Sequence, residues 1–241
     1  MVDKKSFTQH ISQQYNEDLE HILNRVMAMG GLVEQQLADA LIALVEGDNQ
    51  RGETVVTGDY KVNAIEVELD EQCTHILARR QPAASDLRLI LAVIKAITDL
   101  ERIGDEGERI GRMALHLLEN DRQRGPMSEV EALGGQVKGM LRGALDAFAR
   151  MDVDQAVRVA QEDLKVDAQY ESIMRHLMKH MEQDPQAVPQ VMDIMWSARS
   201  LERIGDRARN ICEYVVYFVR GKDVRHTSYE QMAEEAAGDR R

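Results

Sequence analysis

The hexapeptide Leu-Glu-Arg-Ile-Gly-Asp occurs twice in this chain, at residues 100–105 and at residues 201–206. Upstream of it the similarity continues at an offset of 104 residues, in the pairs Gly30 and Gly134, Leu37 and Leu141, Asp48 and Asp152, and Asp59 and Asp163. The offset at the hexapeptide itself is 101, which places a deletion of three residues in the loop before it. A register held across several segments indicates internal duplication, so both halves are expected to share one fold.

Prolines divide the chain into long stretches that have the composition of helices. The four are Pro82, Pro126, Pro185 and Pro189. Because proline disrupts a helix interior, each marks a helix end or a first turn. The stretches between them are rich in Leu, Ala, Glu, Lys and Met and contain no Asn-Gly or Asp-Gly hairpin signal. Aromatic residues make up only 4% of the chain, so aliphatic side chains and Met must fill the core, which suits helix-on-helix packing.

The predicted fold class is all-α, with two tandem, pseudo-symmetric three-helix bundles. The six predicted helices cover about residues 16–46, 49–80, 83–119, 129–150, 153–182 and 186–220. We assign the N-terminal bundle to residues 1–122 and the C-terminal bundle to residues 123–223. The polar residues 224–241 are predicted to form a flexible tail.

The formal net charge of −12 argues against nucleic acid as a partner, since phosphates repel an acidic surface and no basic patch offsets it. Residues 1–14 lack the apolar stretch of a secretory signal. No segment has the roughly 18 consecutive apolar residues typical of a membrane span. The two cysteines, Cys73 and Cys212, lie in helical patterns and are interpreted as reduced core thiols of a cytoplasmic protein.

Acidic residues interrupt the apolar stripe of the third helix in each copy. In the first copy the stripe consists of Leu87, Ile90, Leu91, Ile94 and Ile97. Wound at about 100° per residue, Glu101 and Asp105 fall in line with that stripe. Glu202 and Asp206 do the same in the second copy. Residues four apart are neighbours on one helix face, so each pair can direct its carboxylates at one point.

The second helix of each copy carries matching polar residues. Asp59 and Asn63 are four apart in the first copy, and Asp163 and Asp167 are four apart in the second. Antiparallel packing would bring each of these pairs opposite the carboxylates of the third helix. The sequence therefore predicts one carboxylate cluster in each bundle.

Two interpretations of these clusters remain open. Carboxylates held together are costly unless they are compensated, and oxygen-only clusters favour hard ions such as Mg²⁺, Mn²⁺, Ca²⁺ or iron. Neither hexapeptide supplies the histidine of a ferritin-like di-iron site, which weakens the case for redox catalysis. The alternative is a solvated surface neutralised by nearby arginines: Arg102, Arg109, Arg203 and Arg207.

Three further features concern packing. Gly104 and Gly205 lie inside predicted helices and indicate close helix approach, or a ligand held against the backbone. Trp196 is expected to pack beside the second apolar stripe. The side of the third helices away from the carboxylates is also apolar, with Leu100, Ile103, Ile110, Leu201, Ile204 and Ile211. That side is predicted to join the two third helices, with dimerisation as the alternative.

The hexapeptides resemble those of the PhoU family, the phosphate-uptake regulators, and the similarity extends over about residues 16–220. Gln-Pro-Ala-Ala-Ser-Asp-Leu-Arg at residues 81–88 and Met-Gly-Gly-Leu-Val-Glu at residues 29–34 also fit the family. The resemblance implies metal ions, with iron, manganese, magnesium or zinc as candidates. The implied ligands are Glu101, Asp105, Glu202 and Asp206, with Asp59, Asp163 and Asp167 opposite them. Asn63 departs from the acidic pattern, which makes the second site the more complete.

The resemblance also implies that the protein is an adaptor and not an enzyme. Such a protein connects the ATPase subunit of the phosphate ABC transporter to the sensor histidine kinase of the phosphate regulon, and represses the phosphate-starvation response. We expect a homodimer in the cytoplasm, held at the inner membrane through its partners. The alternatives are a metal-dependent hydrolase or oxidoreductase that uses the carboxylates, and a purely structural helical protein. No nucleophile elbow, phosphate loop or Cys-x-x-Cys motif supports catalysis.

Overall fold

The computed structural model describes residues 13–119 and 127–238, and these contain nine α-helices and no β-strand. The helices are α1 Gln13–Glu46, α2 Asn49–Gly58, α3 Tyr60–Arg80, α4 Ala84–Glu119, α5 Met127–Arg150, α6 Val153–Gln161, α7 Asp163–Gln183, α8 Val188–Arg220 and α9 Tyr229–Ala237. A 3₁₀ turn, Pro185–Ala187, precedes α8. The all-α prediction is confirmed, and the boundary predicted between residues 122 and 123 lies outside the described residues.

The second predicted helix of each copy is divided in two. The interruptions fall at Asp59 and Glu162, where the backbone keeps right-handed helical angles. Each divided helix begins at an aspartate cap: Asp48 accepts from the backbone N–H of Arg51, and Asp152 accepts from that of Gln155. Such caps satisfy N–H groups that have no partner within the helix. The equivalent aspartates therefore start the same element in both copies.

Each copy forms a three-helix bundle, and the two bundles pack against each other. Helices α1, α2–α3 and α4 form the first bundle, and α5, α6–α7 and α8 form the second. The long helices α4 and α8 pack side by side, and the apolar residues predicted for this contact are buried. This confirms that the third helices pack together within one chain.

Helices α1 and α5 cross at two glycines. A Cβ atom on Gly30 would lie 2.6 Å from Leu145 Cδ2, and a Cβ on Gly134 would overlap Leu41 in the same way. Leu41 and Leu145 are themselves equivalent at the 104-residue offset, so each copy supplies one glycine and one leucine. Both glycines therefore lie at the close approach of the two helices, where a Cβ would displace a leucine, whereas a Cβ on the neighbouring Gly31 or Gly135 meets nothing within 4 Å.

The structure differs from the predicted tail because residues after Lys222 fold back onto the second bundle. Helix α9 begins with a capping box formed by Ser228 and Gln231, and it contacts α6 and α8. Met232 and Ala236, one turn apart, are buried together with Val224. Two apolar residues at helical spacing are enough to dock a short helix on a preformed surface. Residues 239–241 of the predicted tail lie outside the described residues.

Helix α1 is long and apolar enough, by length and composition, to cross a membrane over Tyr15–Glu46. Half of its most apolar window is buried inside the protein. Leu19, Val26 and Val33 lie on that buried face. A core helix satisfies the same test, and its contacts here are with α2, α3, α4 and α5.

Both cysteines are free thiols in the core, as the sequence predicted. Burial raises the pKa of Cys73 to about 12. Burial also raises the pKa of Cys212 above its usual range. The thiolate is the reactive form of cysteine, so neither residue is poised as a nucleophile.

Candidate metal centres

The first centre comprises Asp59, Asn63, Glu66, Glu101 and Asp105, at the junction of α2 and α3 and on the facing side of α4. Asp59 is buried and accepts hydrogen bonds from Gln36 Nε2 at 2.9 Å and from Asn63 Nδ2 at 3.2 Å. A Cβ on Gly104 would lie 3.1 Å from Asp59 Oδ1, which is tighter than an ordinary contact, so glycine at this position favours the close packing of α4 against Asp59.

The second centre comprises Asp163, Asp167, Glu202 and Asp206, at the start of α7 and on α8. Asp163 is fully buried, and its Oδ2 accepts from Arg209 Nη1 at 2.7 Å and from the Tyr229 hydroxyl at 3.0 Å. Gly205 takes the place of Gly104, since a Cβ there would lie 3.2 Å from Val166 Cγ1, which is tighter than an ordinary contact. The packing interpretation of both mid-helix glycines is confirmed.

The carboxylates of the first centre lie close enough to affect one another. Burial raises the pKa of Glu101, and the charge of Asp105 raises it further. Burial also raises the pKa of Asp105, followed by the charge of Asp59. Burial and neighbouring like charges both disfavour the ionised form of an acid. The structure therefore brings together the acidic residues that the sequence placed on facing helices.

The same two causes act in the second centre. Burial raises the pKa values of Asp167, Glu202 and Asp206. The charge of Asp206 then acts on Glu202, while that of Asp163 acts on Asp167 and Asp206. These carboxylates repel one another, and a cation bound among them would relieve the repulsion.

The donor atoms of the second centre fit a hard cation. Asp163 Oδ1 and Glu202 Oε2 are buried and have no hydrogen-bond partner in the described part of the chain. In the first centre the corresponding unpartnered atoms are amide oxygens, Gln36 Oε1 and Asn63 Oδ1. Carboxylate and amide oxygens are the ligands that such ions prefer.

The acidic side chains of the two centres do not direct their oxygens at a common point. Within residues 13–119 and 127–238, no three His, Cys, Asp or Glu side chains are arranged to hold a metal ion. An ion shared among the carboxylates of either centre would therefore require some of them to turn toward it. Their role as metal ligands stays a prediction.

Three of the four arginines named as neutralising partners form ion pairs with other acids. The fourth acts at the first centre, since burial raises the pKa of Glu101 and the charge of Arg102 partly offsets that rise. Arg203 and Arg109 both pair with Glu106, at 2.8 and 3.1 Å, and Arg207 pairs with Asp99 at 3.1 Å. The pairs of Arg203 and Arg207 join α8 to α4, whereas Arg109 and Glu106 both lie on α4. At the second centre the arginines are instead Arg199, which donates to Glu202 at 2.7 Å, and Arg209. Sequence reasoning missed both, although each lies within four residues of a predicted ligand.

The polar contacts between α4 and α8 are pseudo-symmetric but differ in chemistry. Asp99 receives hydrogen bonds from Arg207 and from the hydroxyl of Tyr214. At the 101-residue offset, Asp99 is equivalent to Ser200, and Arg207 to Glu106. Ser200 Oγ indeed donates to Glu106 Oε2 at 2.8 Å. Equivalent positions of the two copies therefore form two different buried polar contacts, one at Asp99 and one at Glu106.

The expected packing of Trp196 is wrong. Its side chain is 52% exposed, and it lines a surface groove with Asp105 and Met113. Met192, one turn earlier, is also exposed. The apolar stripe on α8 therefore extends beyond the helices that cover it. A helix period shows which face is apolar but not how far the neighbouring helix extends along it.

Together, the fold and the two acidic centres define an internally duplicated, all-helical protein with one carboxylate cluster in each copy. More particularly, the chain belongs to the PhoU family. The PhoU domain model matches it twice, at residues 26–114 and 130–215, once in each bundle. The family resemblance found in the sequence is therefore confirmed.

Known relatives are similar over their whole length. The chain is 49% identical to the phosphate-specific transport system accessory protein PhoU homolog of Pseudomonas aeruginosa, over 100% of this chain and 99% of that protein. It is 47% identical to the accessory protein PhoU of Escherichia coli K12, over 98% of each chain.

Two solved structures have the same fold. The crystal structure of PhoU from Pseudomonas aeruginosa matches with a TM-score of 0.84 and 48% identity, over 86% of this chain and 100% of that chain. The phosphate transport system regulatory protein PhoU from Streptococcus pneumoniae matches with a TM-score of 0.81 and 27% identity, over 87% and 99%. The arrangement of two three-helix bundles is thus shared with these structures.

Proposed function

We propose that this chain regulates phosphate uptake as an adaptor between the phosphate ABC transporter, through its ATPase subunit, and the sensor histidine kinase of the phosphate regulon. The observation that carries the proposal is the full-length similarity to proteins named as accessory proteins of a phosphate-specific transport system. The protein acts by contact in the cytoplasm, as a homodimer held at the inner membrane by its partners, and restrains the starvation response when phosphate is plentiful.

The adaptor role predicts constitutive expression of phosphate-starvation genes when the chain is deleted. In high phosphate, a reporter for those genes should rise to the level of the phosphate-starved parent strain, because nothing then holds the kinase in its repressing state. The measurement is reporter activity in the deletion strain of the native bacterium, with the intact gene restored as the control. Expression that stays low in high phosphate after deletion would contradict the adaptor role.

We propose further that each carboxylate centre holds metal, with iron, manganese, magnesium or zinc as the candidate ions. The support is the mutual repulsion within each centre and the unpartnered buried oxygens of Asp163 and Glu202. A bound cation would supply positive charge to these acids and hold α7 to α8. The alternative is a metal-dependent hydrolase or oxidoreductase, and turnover of a phosphoester or redox substrate that depends on Glu202 would favour it.

The double substitution Glu202→Ala/Asp206→Ala is predicted to abolish metal binding at the second centre. It removes two of the four carboxylates, and affinity for hard cations depends on the number of charged ligands. Metal per chain should fall by about half if both centres are equally occupied. The measurement is elemental analysis of protein purified without a metal-affinity tag.

Glu131→Ala/Glu182→Ala is the matched control for this substitution. It removes two exposed acids of the same bundle, on α5 and α7, and should keep the full metal content. Metal content unchanged by Glu202→Ala/Asp206→Ala would refute the assignment of the second centre.

A further inference from the structure

One of the charged positions at which the two centres differ is occupied by an arginine in the second copy. Arg209 of the second copy is equivalent to Glu108 of the first at the 101-residue offset. Glu108 pairs with Arg112 one turn along α4, at 2.5 Å. Arg209 instead points into the second centre, where its Nη1 lies 2.7 Å from Asp163 Oδ2 and 3.7 Å from Asp206 Oδ1. The second centre thus contains a cation of its own.

Arg209 is linked to the C-terminal helix through a tyrosine. Tyr229 is the first residue of α9, and its hydroxyl shares Asp163 Oδ2 with Arg209. Arg209 Nη1 also lies 3.5 Å from that hydroxyl. At its other end α9 is held by Arg220 Nε, which donates to the carbonyl of Ala236 at 2.8 Å. Helix α9 therefore has one of its polar attachments at the second centre.

Only one of the two carboxylate oxygens of Asp163 accepts hydrogen bonds from described residues. Its Oδ2 accepts hydrogen bonds from Arg209 and Tyr229, while its buried Oδ1 has no partner within residues 13–119 and 127–238. Its side chain is 1% exposed, so bulk water does not readily reach Oδ1 to donate a hydrogen bond. A cation bound to this carboxylate would lie within a few ångströms of the Arg209 guanidinium, and two positive charges at that distance repel strongly in a buried setting.

We propose that Arg209 competes with a metal ion for the second centre, and that Tyr229 transmits this competition to α9, so that metal binding loosens the C-terminal helix. The inference rests on the metal centre proposed above. Coupling of this kind is reciprocal, so a docked α9 lowers the affinity of the centre for metal. The first centre has Glu108 at the equivalent position, so no arginine at that position opposes a metal ion there.

The experiment uses the full chain with Mn²⁺ as the probe and measures Mn²⁺ affinity by titration. Arg209→Gln should bind Mn²⁺ at the second centre about tenfold more tightly or better, because one repelling charge is gone. Arg158→Gln is the matched control, since it removes an exposed arginine of α6 in the same bundle and should leave the affinity unchanged. Weaker or unchanged binding by Arg209→Gln would overturn the inference, and weaker binding would show that Arg209 positions the ligand Asp163.

Hydrogen exchange of the backbone amides of residues 229–237 tests the link to α9. Mn²⁺ should speed their exchange in the unsubstituted chain by about tenfold. In Tyr229→Phe their exchange should already be fast and should no longer respond to Mn²⁺. Exchange that Mn²⁺ leaves unchanged in the unsubstituted chain would overturn the link. If neither this chain nor Arg209→Gln binds Mn²⁺, the inference fails together with the metal centre, whereas the reporter strain decides the adaptor role separately.

Discussion

Valine in place of Gly134 is expected to lower the free energy of unfolding by about 2–3 kcal/mol. Position 134 faces Leu41 where α5 crosses α1, and even the Cβ of alanine would overlap that side chain. Valine adds two more methyl groups, so either Leu41 leaves its rotamer or the helices separate. The measurement is chemical denaturation of the full-length protein, with the midpoint and slope fitted together.

The same substitution one residue later is the control. A Cβ on Gly135 meets nothing within 4 Å, and the residue is exposed. Gly135→Val should therefore change the free energy of unfolding by less than about 0.5 kcal/mol, since valine is slightly the better helix former. The duplication supplies a second pair, Gly30→Val and Gly31→Val, with the same expected difference. Equal costs at positions 134 and 135 would show that helix propensity, and not the crossing of α1 and α5, explains these glycines.

Methionine in place of Arg207 is expected to cost about 3 kcal/mol of stability, because it leaves a buried charge without its cation. Asp99 has a side chain only 5% exposed, and Arg207 is its only ion-pair partner among the described residues. Tyr214 and Asn210 would remain as hydrogen-bond donors to Asp99. The measurement is again the free energy of unfolding from denaturation.

A double variant separates the buried charge from the loss of packing by the arginine stem. In Asp99→Asn/Arg207→Met the charge is removed together with its partner, so more than half of the loss should be recovered. Arg112→Met, an exposed arginine on α4, should cost less than about 1 kcal/mol. A double variant no more stable than Arg207→Met would mean that the stem of Arg207, and not its charge, stabilises the contact of α4 with α8.

Much of the fold was predictable because its determinants are local or repeated. The six long helices end within three residues of the predicted positions, since apolar periodicity and proline placement act within a few turns. The packing of α4 against α8 was predictable because each helix has two apolar faces. One face covers its own bundle, and the other, which contains Leu100 or Leu201, is free to pack against the other copy. The interruptions at Asp59 and Glu162 were not, since no proline or positive backbone angle marks them.

The acidic residues of the candidate centres were predictable, but the residues that contact them were not. The acidic residues of facing helices share one neighbourhood in each bundle, as their register indicated. The partners of those residues were not predictable, because Gln36 and Tyr229 reach the centres from other helices and Arg209 pairs with Asp163 across two helices. A long side chain can reach any of several acids nearby, and only the helix positions decide which one it binds.

By itself, the sequence determined the duplication, the all-helical class, the register that places Glu and Asp in line with the core, and the family. These follow from spacing along one helix and from identity between copies. The tertiary structure decided that Arg209 binds the buried Asp163 of the second centre, that residues 229–237 dock as a helix, and that Trp196 faces solvent. Each of these depends on groups far apart in the chain, such as Asp163 and Tyr229, whose contact exists only once α7, α8 and α9 have packed.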